Sequence, residues 1–269
     1  MNAMSTIASA DGTRIAFWRQ GSGSPLLLVH GGLCDHLAWH FVAPLLARHL
    51  TVWSFDRRGH GRSEDTSPHS IEREVEDIQA MLQAIGEPVH LLGHSAGAIL
   101  ALAAALRTHR LRSLILYEPP FIVDNARSRP APKVLEEMQR LLAEGDPDQA
   151  LRIAMRETVA LSDAEIDRMQ NQPGWEHLRE AARAIPNDWK IWEETLIPAH
   201  LKDMRTPTLL LEGSESPAWI HTGSDAVRRA LPIATLEQME GQGHSAMITA
   251  PDLFAEKVVQ FVSGIDRPL

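Results

Sequence analysis

The sequence predicts an α/β fold, a mostly parallel, eight-stranded, doubly wound sheet with an inserted helical lid. Three observations indicate it. Short apolar runs alternate with helical patterns between residues 25 and 117, an alternation typical of a parallel sheet that helices cover on both faces. Strand signals stop and helix signals accumulate from about 119 to 205. Strand patterns resume after residue 206, so the helical segment interrupts a single sheet.

The first strands are short and lead into turns. Residues 5–19 indicate two strands around the Asp-Gly pair at 11–12, which is typical of a hairpin turn. Residues 25–29 (Pro-Leu-Leu-Leu-Val) suit a strand buried on both faces, and His-Gly-Gly follows at 30–32. A helical stretch is expected over about 38–48.

The next unit repeats the pattern of a strand, a glycine-rich loop and a helix. Residues 51–55 predict a strand, and Asp-Arg-Arg-Gly-His-Gly-Arg-Ser follows at 56–63. We expect the basic side chains of this loop to pair with neighbouring acids. A helix is predicted to begin after Ser70 and to end at Gly86, because its apolar residues are spaced three and four apart.

The centre of the sequence carries the strongest chemical signal. Residues 89–92 (Val-His-Leu-Leu) are mostly apolar, 93–97 read Gly-His-Ser-Ala-Gly, and the alanine-rich run at 98–106 is helical in pattern. A tight turn from strand to helix pushes its serine out of the fold and places backbone N–H groups beneath it. The glycines allow that turn because a side chain at either position would meet neighbouring backbone. The whole window is long enough to span a membrane, but the turn interrupts it.

The insertion contains several helix boundaries. Asp146 precedes a proline and is expected to cap a helix, and Ser162 with Glu165 forms a capping-box pattern. Pro186 is expected to stop a helix.

The chain therefore divides into two predicted parts. Residues 1–118 and 206–269 form the core, and 119–205 form a helical cap. The last two strands of the core are expected at 208–211 and 235–239.

Composition excludes several classes of function. The formal net charge of −9 argues against nucleic acid and anionic membranes as partners. A single cysteine, Cys34, excludes an intramolecular disulfide framework and fits a reducing compartment. The sequence contains neither His-Glu-x-x-His nor Cys-x-x-Cys, so these patterns give no reason to predict a metal site. The N-terminus has no signal-peptide pattern, so a cytoplasmic location is expected.

Four of these segments together resemble the α/β-hydrolase family over nearly the whole chain. They are His-Gly-Gly at 30–32, the arginine-rich loop at 56–63, the serine turn at 93–97 and Gly-His at 243–244. Each follows a predicted strand, in the order typical of the family. The resemblance implies a serine hydrolase of the carboxylesterase type that needs no cofactor and no metal.

The resemblance also implies individual roles. Ser95 corresponds to the nucleophile and His244 to the base, a role that suits an imidazole. The backbone N–H groups of Ala96, which follows the nucleophile, and of Gly32 correspond to the oxyanion hole.

The third member of the triad departs from the common pattern of the family. An aspartate is usual in a Gly-x-x-Asp setting after the penultimate strand, but residues 213–216 read Gly-Ser-Glu-Ser. Glu118, at the end of the strand after the nucleophile helix, is the first candidate, because some family members carry their acid there. Glu215 is the second candidate and Asp225 the third.

The resulting hypothesis is cleavage of a small-molecule ester or related carbonyl substrate through an acyl-serine intermediate. Two alternatives remain: a cofactor-free haloperoxidase (perhydrolase), and a ligand receptor built on a hydrolase scaffold. The expected partner is a small-molecule substrate, without nucleic acid or membrane. A homodimer is left open.

Overall fold

The structure is a computed structural model, and it describes most of the chain. The described residues are 3–66, 68–123, 127, 131–159, 161–172, 174–194 and 196–267.

Eight strands form one sheet in the order β1-β2-β4-β3-β5-β6-β7-β8. The pairs β1–β2 and β2–β4 are antiparallel, and every other neighbouring pair is parallel. The predicted eight-stranded, mostly parallel sheet is confirmed. The strands are β1 (Ser5–Ala8), β2 (Arg14–Gly21), β3 (Pro25–Val29), β4 (Thr51–Phe55), β5 (Val89–His94), β6 (Leu111–Tyr117), β7 (Thr208–Gly213) and β8 (Ala234–Met239).

Helices cover both faces of this sheet. One buried apolar cluster joins a face of the sheet to α2, α3 and α9, and a second joins the opposite face to α1, α10 and α11. In the described part of the chain, no helix is both long enough and apolar enough to span a bilayer. The bounds are α1 (Ala43–Leu46), α2 (Ile71–Ile85), α3 (Ala96–Ala105), α9 (Ala218–Ala230), α10 (Ala246–Thr249) and α11 (Pro251–Asp266).

Local sequence explains most of these boundaries. The Ser70 side chain accepts a hydrogen bond from the Arg73 N–H at the start of α2, and Gly86 ends the helix with a φ of 82°. The single helix expected over 38–48 is instead a 3₁₀ turn at His36–Trp39 followed by α1. Pro44 lies in the first turn of α1, where its missing N–H is tolerated. A proline is disfavoured inside a helix, so its position fits a new helix that begins after the 3₁₀ turn.

The insertion between β6 and β7 is helical where it is described, and its helices share a buried cluster of their own. The capping box of Ser162 and Glu165 is present at the start of α6. Pro186 lies at the beginning of a helix rather than at the end of one, because it is the second residue of α8. Backbone N–H groups in the first turn make no hydrogen bond within the helix, so the N–H that proline lacks is not needed there. The helices are α4 (Pro132–Ala143), α5 (Pro147–Ala154), α6 (Asp163–Gln170), α7 (Trp175–Ala181) and α8 (Ile185–Glu194).

Candidate active site

Ser95 lies at a sharp bend between β5 and α3. Its φ is 53° and its ψ is −124°, a conformation that is costly for a residue with a side chain. The bend is tight because two glycines allow close backbone approach: a Cβ on Gly93 would lie 2.3 Å from the Gly97 carbonyl oxygen, and one on Gly97 would lie 2.4 Å from the His30 carbonyl oxygen. The local sequence thus forces the serine outward at the N-terminus of a helix.

The ends of β5, β6 and β7 lie side by side. The Ser95 N–H donates to the Tyr117 carbonyl oxygen at 2.9 Å, and the Glu118 N–H donates to the Leu211 carbonyl oxygen at 3.0 Å. Glu118 also has a positive φ of 48°, so the chain turns sharply just where the strand ends. This register brings Ser95 and Glu118 to one edge of the sheet.

Glu118 is fully buried, and both of its carboxylate oxygens are engaged. Oε2 is 2.6 Å from Nδ1 of His244. Oε1 accepts from the Gly213 N–H at 2.7 Å and from the Ser216 hydroxyl at 2.5 Å. Because a carboxylate can only accept, the hydrogen of a neutral His244 ring lies on Nδ1, and Nε2 keeps a free lone pair.

The surroundings of Glu118 keep it ionised. Burial by itself would raise the pKa of this carboxyl group. The hydrogen bond and charge of His244, together with the donors Gly213 and Ser216, outweigh burial and hold the pKa of Glu118 below its usual value. Ser216 occupies the position where the family usually carries its acid, and here it is a donor to the glutamate.

The loop that carries His244 is fixed by two side chains from the strand ends. The Tyr117 hydroxyl donates to the Gly243 carbonyl oxygen and accepts from the Ala246 N–H at 3.0 Å. The His94 Nε2 donates to the His244 carbonyl oxygen at 2.9 Å, and the two rings lie 4.6 Å apart. Sequence reasoning missed Tyr117 and His94 as supports, because neither has a spacing that indicates a contact with a loop more than 120 residues away.

The segment after β3 approaches the bend from the other side. A Cβ on Gly31 would lie 3.1 Å from the Ser95 Cβ. Across the residues described, neither the Gly32 N–H nor the Ala96 N–H donates to a protein acceptor. Both N–H groups are therefore available to a ligand.

Two of the three arginines in the loop after β4, Arg57 and Arg58, are buried and paired with acids, as the sequence predicts, whereas Arg62 is exposed and has no described side-chain ion pair. Arg57 binds Glu74 through two hydrogen bonds of 2.8 and 2.6 Å, and Arg58 binds Asp77 through two of 2.7 Å. Bidentate pairs of this kind compensate the cost of removing the charges from water.

The other two acid candidates lie elsewhere. Glu215 is exposed, and its N–H donates to the Gln242 carbonyl oxygen. Asp225 pairs with Arg228 and Arg229 on α9. Only Glu118 of the three candidates has a described contact with His244.

Among the described residues, one group has ligand atoms close enough together to hold a metal ion: Asp35, His36 and Asp56. Their ligand atoms lie within 4.8 Å of one another. Asp56 already accepts from the N–H and Nδ1 of His36 and from the Arg62 N–H. Protein donors therefore account for this cluster without a cation.

Comparison with known proteins decides the family. A family model described as the alpha/beta hydrolase family matches residues 26–257, which include every residue of the candidate site. The protein is an α/β hydrolase. The order of its strand-end segments and the eight-stranded sheet agree with this assignment.

Several relatives of this α/β hydrolase match it over nearly its whole length. The structure of an alpha/beta hydrolase from Sphaerobacter thermophilus is 37% identical, covers 96% of this chain and 100% of that one, and has a TM-score of 0.89. A protein of Pseudomonas savastanoi named "Putative carbamate hydrolase RutD" is 28% identical over 91% of this chain and 96% of its own. An esterase from Thermogutta terrifontis has a TM-score of 0.77 at 22% identity over 99% and 100% of the two chains, a likeness of fold alone.

Proposed function

We propose that this α/β hydrolase cleaves a small ester or a related carbonyl compound through an acyl intermediate on Ser95. The observation that carries the proposal is the 2.6 Å hydrogen bond between His244 Nδ1 and Glu118 Oε2. It leaves Nε2 as a proton acceptor, while Ser95 lies at the bend of the neighbouring strand end. A serine becomes a useful nucleophile when such a base takes its proton.

The reaction begins when the Ser95 oxygen bonds to the carbonyl carbon and His244 Nε2 takes the hydroxyl proton. Glu118 stays ionised and stabilises the imidazolium that forms. Negative charge develops on the substrate oxygen, which accepts from the N–H groups of Gly32 and Ala96. Removing one such donor typically costs about 3–4 kcal/mol of transition-state stabilisation.

The second half returns the enzyme to its starting state. The tetrahedral intermediate expels the alcohol, which takes the proton from His244 and leaves an ester on Ser95. Water then attacks this ester while His244 accepts its proton. The bond between the Ser95 oxygen and the acyl carbon breaks, Ser95 takes the proton back from His244, and the carboxylic acid is released. Water is the only co-reactant in these steps, so the proposal requires no cofactor.

The helices of the insertion act in this proposal as a cap that limits water and selects the substrate. Trp175, Trp189 and Trp192 are buried in the cluster that these helices share, so they stabilise the insertion itself, and the substrate panel decides which acyl chains the cap admits. Carbamates belong in the substrate test as well, because a relative that matches over nearly the whole chain carries that name.

The test combines a covalent probe with a substrate panel. A fluorophosphonate should add once to the wild-type protein, with the adduct on Ser95 by peptide mass spectrometry. Turnover of p-nitrophenyl esters of increasing chain length, and of a p-nitrophenyl carbamate, should fall on the order of 10⁶-fold in Ser95→Ala. Ser263→Ala, an exposed serine on α11, is the matched control and should keep both properties.

Two outcomes would replace the proposal. A protein that forms peracid from acetate and peroxide but barely hydrolyses esters would be a perhydrolase. A protein that binds the esters, yet neither turns them over nor reacts with the probe, would be a ligand receptor on the hydrolase scaffold.

A further inference from the structure

Asp188 is a mostly buried carboxylate of the insertion whose partners belong to the core. It lies on α8, and its side chain is 12% exposed. Its Oδ2 accepts from the Leu33 N–H at 2.9 Å and lies 3.2 Å from His60 Nε2, and its Oδ1 accepts from Arg57 Nη1 at 3.0 Å. All three partners belong to the core, so Asp188 connects the insertion to the loops after β3 and β4.

The charges around Asp188 favour its ionised form. Burial opposes ionisation, but the charges of His60 and Arg57 and the Leu33 N–H outweigh it and hold the pKa of Asp188 well below its usual value. The carboxylate is therefore a strong acceptor at neutral pH, and charge-assisted hydrogen bonds are roughly twice as strong as neutral ones.

The backbone that Asp188 holds is strained. Leu33 has a φ of 54°, which is costly for a residue with a branched side chain. Its N–H donates to Asp188. Such a conformation persists only when surrounding contacts fix it, and this hydrogen bond is one of those contacts.

The preceding peptide group is fixed as well, partly through Arg57. The Gly31 carbonyl oxygen accepts from His30 Nδ1 at 2.8 Å and from Arg57 Nη1 at 3.2 Å. In a trans peptide the C=O and the next N–H point in opposite directions. Holding the Gly31 carbonyl therefore orients the Gly32 N–H the other way, and that N–H has no protein acceptor among the described residues.

Asp188 also packs closely against Gly32. A Cβ there would lie 3.0 Å from Asp188 Oδ2 and 3.1 Å from its Cγ. The Asp188 carboxylate thus packs against Gly32, whose N–H is the proposed oxyanion donor. It also accepts hydrogen bonds from the Leu33 N–H and from Arg57, and Arg57 in turn holds the Gly31 carbonyl.

We propose that Asp188 is a positioning residue that sets the oxyanion loop from the insertion, so that the hole is correctly formed only when α8 is docked. This inference rests on the proposed function. The helical insertion then also contributes to catalysis, because displacement of Asp188 would misalign the Gly32 N–H. Ser95, His244 and Glu118 would stay in place.

The experiment compares Asp188→Ala and Asp188→Asn with Asp148→Ala. Asp148 is the matched control, because its carboxylate pairs with Trp175 and Arg179 inside the insertion. Arg57 keeps its two bonds to Glu74 in either Asp188 variant, which favours retention of the fold. Thermal unfolding is followed for all of them.

On a p-nitrophenyl ester we expect kcat of Asp188→Ala to fall on the order of 10²-fold, the size of losing one oxyanion donor, with KM within about threefold. Asp188→Asn should recover part of kcat, because its amide oxygen can still accept from Leu33. Asp148→Ala should match the wild type. Equal kcat in Asp188→Ala and Asp148→Ala, or a rise in KM alone, would overturn the inference.

A readout without catalysis separates the inference from the proposed function. Amide hydrogen exchange at Leu33, measured by NMR, should be slow in the wild type and at least tenfold faster in Asp188→Ala. Unchanged exchange would show that Asp188 does not hold the loop, even in an active esterase. If the wild type neither reacts with the fluorophosphonate nor turns over esters, the proposed function fails and the catalytic role of Asp188 fails with it, whatever the exchange shows.

Discussion

The acid side and the oxyanion side of this site are built from different parts of the chain. Glu118 is held by Gly213, Ser216 and His244, which all belong to the core. The segment after β3 is held by core residues and also by Asp188, which belongs to the insertion between β6 and β7. One side therefore needs only the sheet, while the other needs the sheet and a docked helix.

This difference indicates where motion would matter. Displacement of α8 leaves the described contacts of Glu118 intact, because they involve only Gly213, Ser216 and His244. The same displacement removes the acceptor of the Leu33 N–H and one partner of Arg57. Movement of the insertion would thus alter stabilisation of the oxyanion before it altered proton transfer. The predictions below test the two sides separately.

Of the changes that test the two sides, Glu118→Gln on the acid side is expected to have the largest effect. The amide keeps the shape of the side chain but removes its charge, and it can hold His244 in the wrong tautomer. We expect kcat to fall on the order of 10⁴-fold. Ester turnover with Glu215→Gln as the control measures it, since Glu215 is exposed and should lose less than about twofold.

The reverse ranking, with Glu215→Gln the more damaging change, would assign the acid to Glu215. Equal and small losses in both variants would mean that neither carboxylate supports His244.

On the oxyanion side, Gly32→Ala should cost on the order of 10²-fold in kcat. The added Cβ would meet the Asp188 carboxylate at 3.0 Å, so the loop or the carboxylate must shift by a few tenths of an ångström. Gly264→Ala on α11 is the matched control, because a Cβ there meets nothing within 4 Å. Burst kinetics should place the loss in formation of the acyl enzyme. Wild-type kcat in Gly32→Ala would remove this N–H from the oxyanion hole.

The sequence predicted the positions at strand ends better than the contacts between them. The strand patterns and the Gly-x-Ser-x-Gly turn are local, so the sheet and the bend at Ser95 follow from short-range chemistry. The Leu33–Asp188 hydrogen bond joins residues 155 positions apart. Nothing in the local pattern of α8 distinguishes Asp188 from an exposed helix acid, so only the packing of the insertion reveals it.

Two further differences between the sequence-based expectations and the structure also arise from contacts between distant parts of the chain. Pro186 reads as a stop signal, but whether a proline ends or begins a helix depends on the residues that precede it in space as well as in sequence. The serine at position 216 is visible as a departure from the family pattern. Its role as a donor to Glu118 depends on two strand ends lying side by side.

The smallest expected effect is that of Ser216→Ala. The hydroxyl lowers the pKa of Glu118, so its removal should raise that pKa toward its usual value and leave Oε1 with the Gly213 N–H alone. A hydrogen bond to a charged group contributes about 1.5–3 kcal/mol, of which the retained bonds and His244 should recover part, so we expect about a tenfold loss in kcat/KM at pH 7.

The pH profile distinguishes this role from simple packing. A carboxyl whose pKa is lowered by folding stabilises the protein above its unfolded pKa, and that contribution is lost as the pH falls through the folded value. In Ser216→Ala the folded pKa of Glu118 is higher, so the acid limb of thermal stability should move to higher pH. Ser214→Ala is the control, because its hydroxyl accepts from the Gly241 N–H and does not contact Glu118. An acid limb that coincides with that of the wild type would mean that Ser216 merely fills space beside the carboxylate.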